Sequence, residues 1–244
     1  MKPAGKERLD VLLVDRSLVA TREKARALVL AGNVLVDGQR ADKAGHTFPV
    51  ACRIELIQGL PYVSRAGKKL EAALDVFHIQ VQDRTCLDVG ASTGGFTDCL
   101  LQRGARRVYA VDVGAGQLDW KLRNDPRVAV REGINARYLS LDHIGELVDL
   151  AVCDVSFISV TLILSPMLAL LHPEGEMVIL VKPQFEVGRG RVGKGGIVRD
   201  PALHAEVCQR VREAVLGMGL TASLMESPVL GAEGNKEFLL YARH

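Results

Sequence analysis

The sequence has no apolar run long enough to cross a bilayer. Its longest, Val160–Leu171, covers 12 residues and includes Pro166, against the roughly 20 that a spanning helix needs. The opening MKPAGKERLD lacks the apolar core of a signal peptide. Cysteine is scarce and unpatterned: positions 52, 86, 99, 153 and 208 make an odd number with no C-x-x-C spacing. That excludes a disulfide framework and a zinc site, and it suits reduced thiols in a cytoplasmic protein. The six histidines (46, 78, 143, 172, 204 and 244) show no ligand spacing, so no metal is expected. An excess of one charge is also missing, with a formal net of only +2 over 244 residues.

What is present is a chain able to build a core, with 48% apolar and 25% charged residues. This fits one large globular domain, or a medium one plus a small one, and excludes wholesale disorder. The neutral total hides a division. Residues 1–70 hold 13 Lys and Arg against 7 Asp and Glu, a net of +6, and the remainder carries −4. A basic head on a mildly acidic body suggests a polyanion-binding region. Chance clustering on a solvated surface is the plain alternative.

The local patterns divide at the same place. Glu7–Arg16 sets Leu9, Leu12 and Leu13 at helical spacing. Thr21 is a good N-cap for a second helix, TREKARALVLA, which stops at Gly32. Val34–Val36 followed by Asp37-Gly38 reads as a strand and tight turn, and residues 53–57 as a returning strand. Residues 58–61, Gln-Gly-Leu-Pro, look like the exit linker of this small α+β unit.

From Thr85 onward, apolar runs at 86–90, 108–113, 128–132, 148–154 and 177–182 alternate with helical segments such as Gly95–Gln102 and Gln117–Arg123. This alternation predicts a doubly wound α/β sheet that binds ligands at the carboxyl ends of its strands. The end differs. Pro201–Leu216 reads as a helix, and 221–228 and 236–243 as an antiparallel strand pair.

The chemistry concentrates at those strand ends. DVGASTGGFTD (88–98) follows a strand and opens a helix, but it fits neither the G-x-G-x-x-G dinucleotide fingerprint nor a phosphate-binding P-loop. A nucleoside without a pyrophosphate remains, S-adenosylmethionine foremost, and Asp112 at the next strand end is placed to bind ribose hydroxyls. The expected cofactor contacts are Gly90, Ser92, Gly94, Phe96, Asp112 and Asp154. Asp154 and Lys182 each end an apolar run, where partial desolvation shifts pKa values. The loop that follows, 182–199, has five basic residues against one Glu and five glycines, and it suits a phosphate clamp through Arg189 and Arg191.

Together these residues resemble the TlyA family of RNA 2'-O-methyltransferases, whose catalytic domain is of the FtsJ type. The resemblance runs through ERLDVLLVDRSLVATREKARALVLAGNVLVDGQ, then YVSRAGKKLEAAL, LDVGASTGGFTD, CDVSFIS, VILVKPQFE and GNKEFLL. It implies a Rossmann-like methyltransferase over residues 63–244. Ahead of it, residues 1–62 would form a small α+β RNA-binding domain of the ribosomal small-subunit protein four type. It also implies a catalytic Lys-Asp-Lys-Glu tetrad, placed by motif at Lys69, Asp154, Lys182 and Glu237, with Lys68 and Glu233 out of pattern.

In the physical reading of the tetrad, Lys182 takes the proton of the ribose hydroxyl and Asp154 orients it, while Lys69 and Glu237 hold the ribose. Lys69 would lower the pKa of Lys182, whereas Asp154 and Glu237 would raise it, and the sequence does not decide between them. The implied partner is rRNA or a ribosomal subunit, with no membrane and no obligate protein partner. Arg8, Arg22, Lys24, Arg26 and Arg65 are the expected phosphate contacts beside Arg189 and Arg191. The head has few aromatics, which favours folded RNA over stacked single strands. Three rivals stand against this reading. A pseudouridine synthase conflicts with GASTGGFTD, and a non-enzymatic assembly factor conflicts with the intact tetrad. A membrane-active haemolysin, the third, lacks a spanning or strongly basic-amphipathic segment.

Overall fold

The computed structural model describes residues 5–30, 33–56, 61–188, 190–231 and 234–244. The expected helix stop at Gly32, the linker residues 58–60, Arg189 and Glu233 lie outside them. The chain divides into two compact units, Met1–Pro61 and Tyr62–His244.

In the first unit, β1 (Lys6–Arg8) leads into α1 (Leu9–Asp15), followed by α2 (Arg22–Leu30), β2 (Val34–Val36), β3 (Gln39–Arg40), β4 (Thr47–Pro49) and β5 (Ile54–Leu56). Thr21 caps α2 as expected, its Oγ1 accepting from the Lys24 N–H at 3.2 Å. The Asp37-Gly38 turn, with φ of +49° and +80°, folds β3 back on β2, and β5 pairs with the other edge of β2. One expectation fails here. Glu7 and Arg8 are not helical: they pair with Phe48 and Thr47 in a two-stranded ribbon, and α1 begins only at Leu9. Leu9, Leu12 and Leu13 still share one buried face, packed with Val29, Val34 and Val36.

The second unit opens with α3 (Ala66–Val76), then β6 (Thr85–Val89), α4 (Gly95–Gln102), β7 (Arg107–Asp112), α5 (Trp120–Arg123), β8 (Val128–Glu132), α6 (Leu141–Ile144) and β9 (Val148–Cys153). It continues with α7 (Leu164–Leu168), β10 (Leu171–Val181), α8 (Pro183–Glu186), α9 (Pro201–Leu216), β11 (Thr221–Glu226) and β12 (Phe238–Arg243). The strands form one seven-stranded sheet in the order β11-β12-β10-β9-β6-β7-β8. β6 to β10 are parallel, and the β11–β12 pair is antiparallel, as the C-terminal pattern predicts.

Two departures have local causes. α5 starts at Trp120 rather than Gln117, because the Asp119 carboxylate caps it by accepting from the Lys121 N–H. β10 starts at Leu171, six residues early, and absorbs Pro173 and Gly175 through a register shift between Leu171 and Glu176. Apolar side chains pack on both faces. Leu87, Ile179 and Val211 belong to one cluster, and Leu70, Leu100 and Leu180 to the other. Burial on both faces is why the parallel strands read as unbroken apolar runs. No helix among the described residues is long and apolar enough to cross a membrane.

Candidate active site

The sheet sets the site out along one edge. β10 and β12 are in register with Val181 opposite Phe238, so Lys182 and Glu237 leave neighbouring strands side by side. β9 pairs beside β10 with Cys153 opposite Ile179, and Asp154 follows at its tip, its N–H donating to the carbonyl of Val89 on β6 at 2.9 Å. Gly90 and Asp112 end the next two strands in order. The strand ends therefore bring Glu237, Lys182, Asp154, Gly90 and Asp112 into one row, where an α/β sheet binds its ligands.

Two cavities open along this row. The first, of about 430 Å³, is walled by Gly90, Ser92, Asp112, Gln117, Asn135 and Asp154, with Val113, Ile134 and Ala136 among its apolar surfaces. The second, of about 410 Å³, is lined by Arg65, Gly90, Ser92, Phe96, Asp154 and Lys182, among others. Gly90, Ser92, Asp154 and Ser156 belong to both. Gly90 has φ of +83°, and a Cβ there would stand 2.6 Å from the carbonyl oxygen of Asp154. Only glycine lets the loop lie this close to the β9 tip.

Asp112 is pre-set by the backbone: its two carboxylate oxygens accept from the N–H groups of Ser92 at 2.8 Å and Gly114 at 2.7 Å. Each oxygen keeps capacity for a hydroxyl. Gly94 lines neither cavity and lies against Leu118 and Leu122, while Phe96 is a buried core residue whose edge reaches the second cavity.

The four tetrad positions form two ion pairs. Lys182 Nζ lies 2.6 Å from Asp154 Oδ1, off the line of an aligned hydrogen bond, and donates instead to Ser156 Oγ at 2.9 Å. Lys69, on α3, donates to Glu237 Oε2 at 2.5 Å, and both are buried. Neither of these two residues lines either of the two cavities described above. Glu237 is packed tightly, since a Cβ on Gly231 would meet its Oε1 at 2.0 Å.

Asp88, fully buried beneath the glycine loop, accepts from Thr97 Oγ1 at 2.6 Å, and its other oxygen has no partner. Burial pushes its carboxyl up to about 7, against the opposing Thr97 hydrogen bond, and the charges of Asp154 and Asp112 push the same way as burial. A carboxyl whose pKa rises on folding costs stability as pH climbs from its unfolded value of about 4 to about 7. Below that window both states are protonated and the cost vanishes. Asp88→Asn, whose amide oxygen still accepts from Thr97, is expected to remove this slope. The gain above pH 7 should reach at most about 4 kcal/mol. Urea unfolding at pH 4, 5.5 and 8 measures it, and parallel pH profiles for the two proteins would rule the idea out.

Several site residues escaped the sequence reading. Ser156 lay inside the CDVSFIS motif but carried no assigned role, and Asn135 and Gln117 belonged to no recognised motif. Phe157 is 91% exposed at φ of +65°, a conformation non-glycine residues rarely adopt, and its ring tilts against Phe185 at 5.1 Å. Its signal was an aromatic three residues after the strand-end Asp154.

The predicted phosphate contacts divide. Arg65 is exposed at the start of α3 and lines the second cavity. Arg191 is turned away into a bidentate pair with Glu206 on α9, at 2.6 and 2.5 Å. In the first unit, half-exposed Arg8, Arg22 and Arg26 converge on the buried Asp10 carboxylate at 2.9, 2.9 and 3.3 Å. They hold it well below the usual carboxylate range, Arg8 most strongly. Lys24 does not join them and lines a groove with Leu18 and Leu28.

Residues 62–244 match the FtsJ-like methyltransferase family, and residues 7–50 match the S4 domain. The 16S/23S rRNA (cytidine-2'-O)-methyltransferase TlyA of Mycobacterium tuberculosis is 44% identical, over 98% of this chain and 91% of its own. YqxC of Bacillus subtilis, named as an rRNA methyltransferase candidate, is 50% identical over 97% of this chain and 85% of its own. A solved structure of a hemolysin candidate from Streptococcus thermophilus superposes with a TM-score of 0.75 at 46% identity. That match covers 99% of this chain and 89% of the other. The chain belongs to the FtsJ-like methyltransferases, in the TlyA family that joins this catalytic fold to an S4 RNA-binding domain.

Proposed function

We propose that this chain methylates a ribose 2'-hydroxyl of ribosomal RNA, a cytidine as in the M. tuberculosis relative, using S-adenosylmethionine in the cytoplasm. The observation that carries this reading is the pair of cavities that share Asp154 and Ser156, with Lys182 lining only the second. The first fits the cofactor. Its apolar Val113, Ile134 and Ala136 suit a purine, Asp112 is aimed for ribose hydroxyls, and Gly90 and Ser92 leave room for the amino-acid end. When bound, S-adenosylmethionine supplies an electrophilic methyl group on a sulfonium.

The chain's own residues supply position and proton transfer. Lys182 Nζ accepts the hydroxyl proton as the new O–C bond forms, and Asp154 and Ser156 hold that nitrogen in place. The Lys69–Glu237 pair supports Lys182 from the neighbouring strand. Exposed Phe157 offers a platform on which a base can stack.

We assign RNA binding to residues 1–62 and catalysis to 63–244. Asp10 gathers three guanidiniums whose outer N–H groups face solvent, an arrangement matched to backbone phosphates. If those three each meet a phosphate, affinity for rRNA should fall about 40-fold between 50 and 200 mM salt. Filter binding across that range measures the slope, and a flat response would remove phosphate contacts as its source. The reading itself is tested by incubating the protein with labelled S-adenosylmethionine and unmodified ribosomal subunits or naked rRNA. Label at a nuclease-resistant ribose linkage is the expected result. No incorporation despite cofactor binding would favour a non-enzymatic RNA-binding factor.

A further inference from the structure

After β9 the chain runs from Asp154 to a helical turn at Val160–Leu162, and residues Lys182–Glu186 run beside it. Three contacts tie the two segments in order. Lys182 Nζ donates to Ser156 Oγ at 2.9 Å, the Phe185 ring meets the Phe157 ring at 5.1 Å, and Glu186 closes the far end. The Glu186 carboxylate accepts from Ser159 Oγ at 2.7 Å and from the Val160 N–H at 2.8 Å. Glu186 is buried. Arg210 on α9 secures it, donating to its backbone carbonyl at 2.5 Å and lying 3.6 Å from its carboxylate.

Phe157 sits between these ties, solvent-exposed and at positive φ. A strained backbone of this kind persists only where its surroundings over-determine it. Lys182 fixes the inner flank as part of the chemistry. Glu186 fixes the outer flank and touches neither cavity.

We infer that Glu186 is a positioning residue for methyl transfer: through Ser159 and Val160 it holds the Phe157 ring where the target nucleobase stacks, beside the Ser156 that both cavities share. The inference rests on the methyl-transfer reading above. Phe157 lines the first cavity, assigned above to the cofactor, yet its ring is almost wholly solvent-exposed and Glu186 lines neither cavity. Loss of Glu186 should therefore appear in the KM for RNA more than in kcat, with S-adenosylhomocysteine affinity as the check on the cofactor side.

The test uses the full chain with unmodified ribosomal subunits, S-adenosylhomocysteine binding by calorimetry, and a thermal midpoint for each variant. Glu186→Gln should stay within about threefold of wild type, because its amide oxygen accepts from Val160 and its amide N–H₂ donates to Ser159 Oγ. Glu186→Ala should raise the KM for subunits about tenfold, the scale of one lost base–aromatic stack. Phe157→Ala should do the same. The double variant should be no worse than Phe157→Ala alone, since both changes remove one effect. If Glu186→Ala fails to fold, Ser159→Ala combined with Phe157→Ala gives the same cycle.

Multiplying losses in the double variant, or Glu186→Gln as impaired as Glu186→Ala, would overturn the inference while the methyl-transfer reading stands. Wild-type protein that binds the homocysteine product but methylates no RNA would overturn both.

Discussion

Lys182→Ala is expected to slow methyl transfer by about 100- to 10,000-fold, the range for removing a group that accepts a proton in the transition state. Affinity for S-adenosylhomocysteine should be nearly unchanged, because Lys182 lines the acceptor cavity and not the cofactor cavity. Lys182→Arg should be as inactive as the alanine variant, since a guanidinium cannot take up a proton. A merely electrostatic lysine would behave differently, and arginine would then restore much of the rate. Single-turnover rates with saturating cofactor separate the cases. Substantial activity in the arginine variant would remove Lys182 as the base and leave it an orienting cation.

Breaking the second pair should act first on stability. Glu237→Ala leaves Lys69 buried without its carboxylate, and removing one partner of a buried ion pair costs about 3–5 kcal/mol. Lys69→Ala leaves the reciprocal charge and a cost of similar size. Replacing both together, as Lys69→Met with Glu237→Leu, should recover most of that loss, because apolar residues of similar volume pack without a desolvated charge. Such a double variant should fold but stay catalytically weak, separating stability from chemistry. Urea unfolding of the three variants measures the cycle. Additive losses in the double variant would mean that the two residues are not coupled.

Much of this architecture was legible in the sequence for identifiable reasons. Four of the five parallel strands, β6, β7, β9 and β10, are buried on both faces, and such strands show as bare apolar runs whatever their neighbours. Helix α9 carries its own boundary signals, an Asp200 cap and Pro201 at its first position. The ribbon of Glu7 and Arg8 with Phe48 and Thr47 carries none, being two three-residue strands, the first of them wholly charged and set beside a leucine pattern that spells helix. The individual tetrad residues were placed by motif, but their pairing was not. Lys69 and Glu237 are 168 residues apart, and no local rule reports which of four charges meets which. Arg191 shows the same limit: it sat in a basic loop, and its partner Glu206 belonged to a helix with its own pattern.

The place of β12 in the chain sets an order of events during synthesis. β12 is the neighbour that covers the open side of β10, and Glu237 stands at its start. Until the ribosome has added that segment, the emerging polypeptide holds Lys69 and Lys182 without Glu237 and exposes β10 as an unpaired, largely apolar edge. Closure of that edge therefore joins completion of the sheet to formation of the buried Lys69–Glu237 pair, and chains stalled before residue 237 are expected to be prone to self-association.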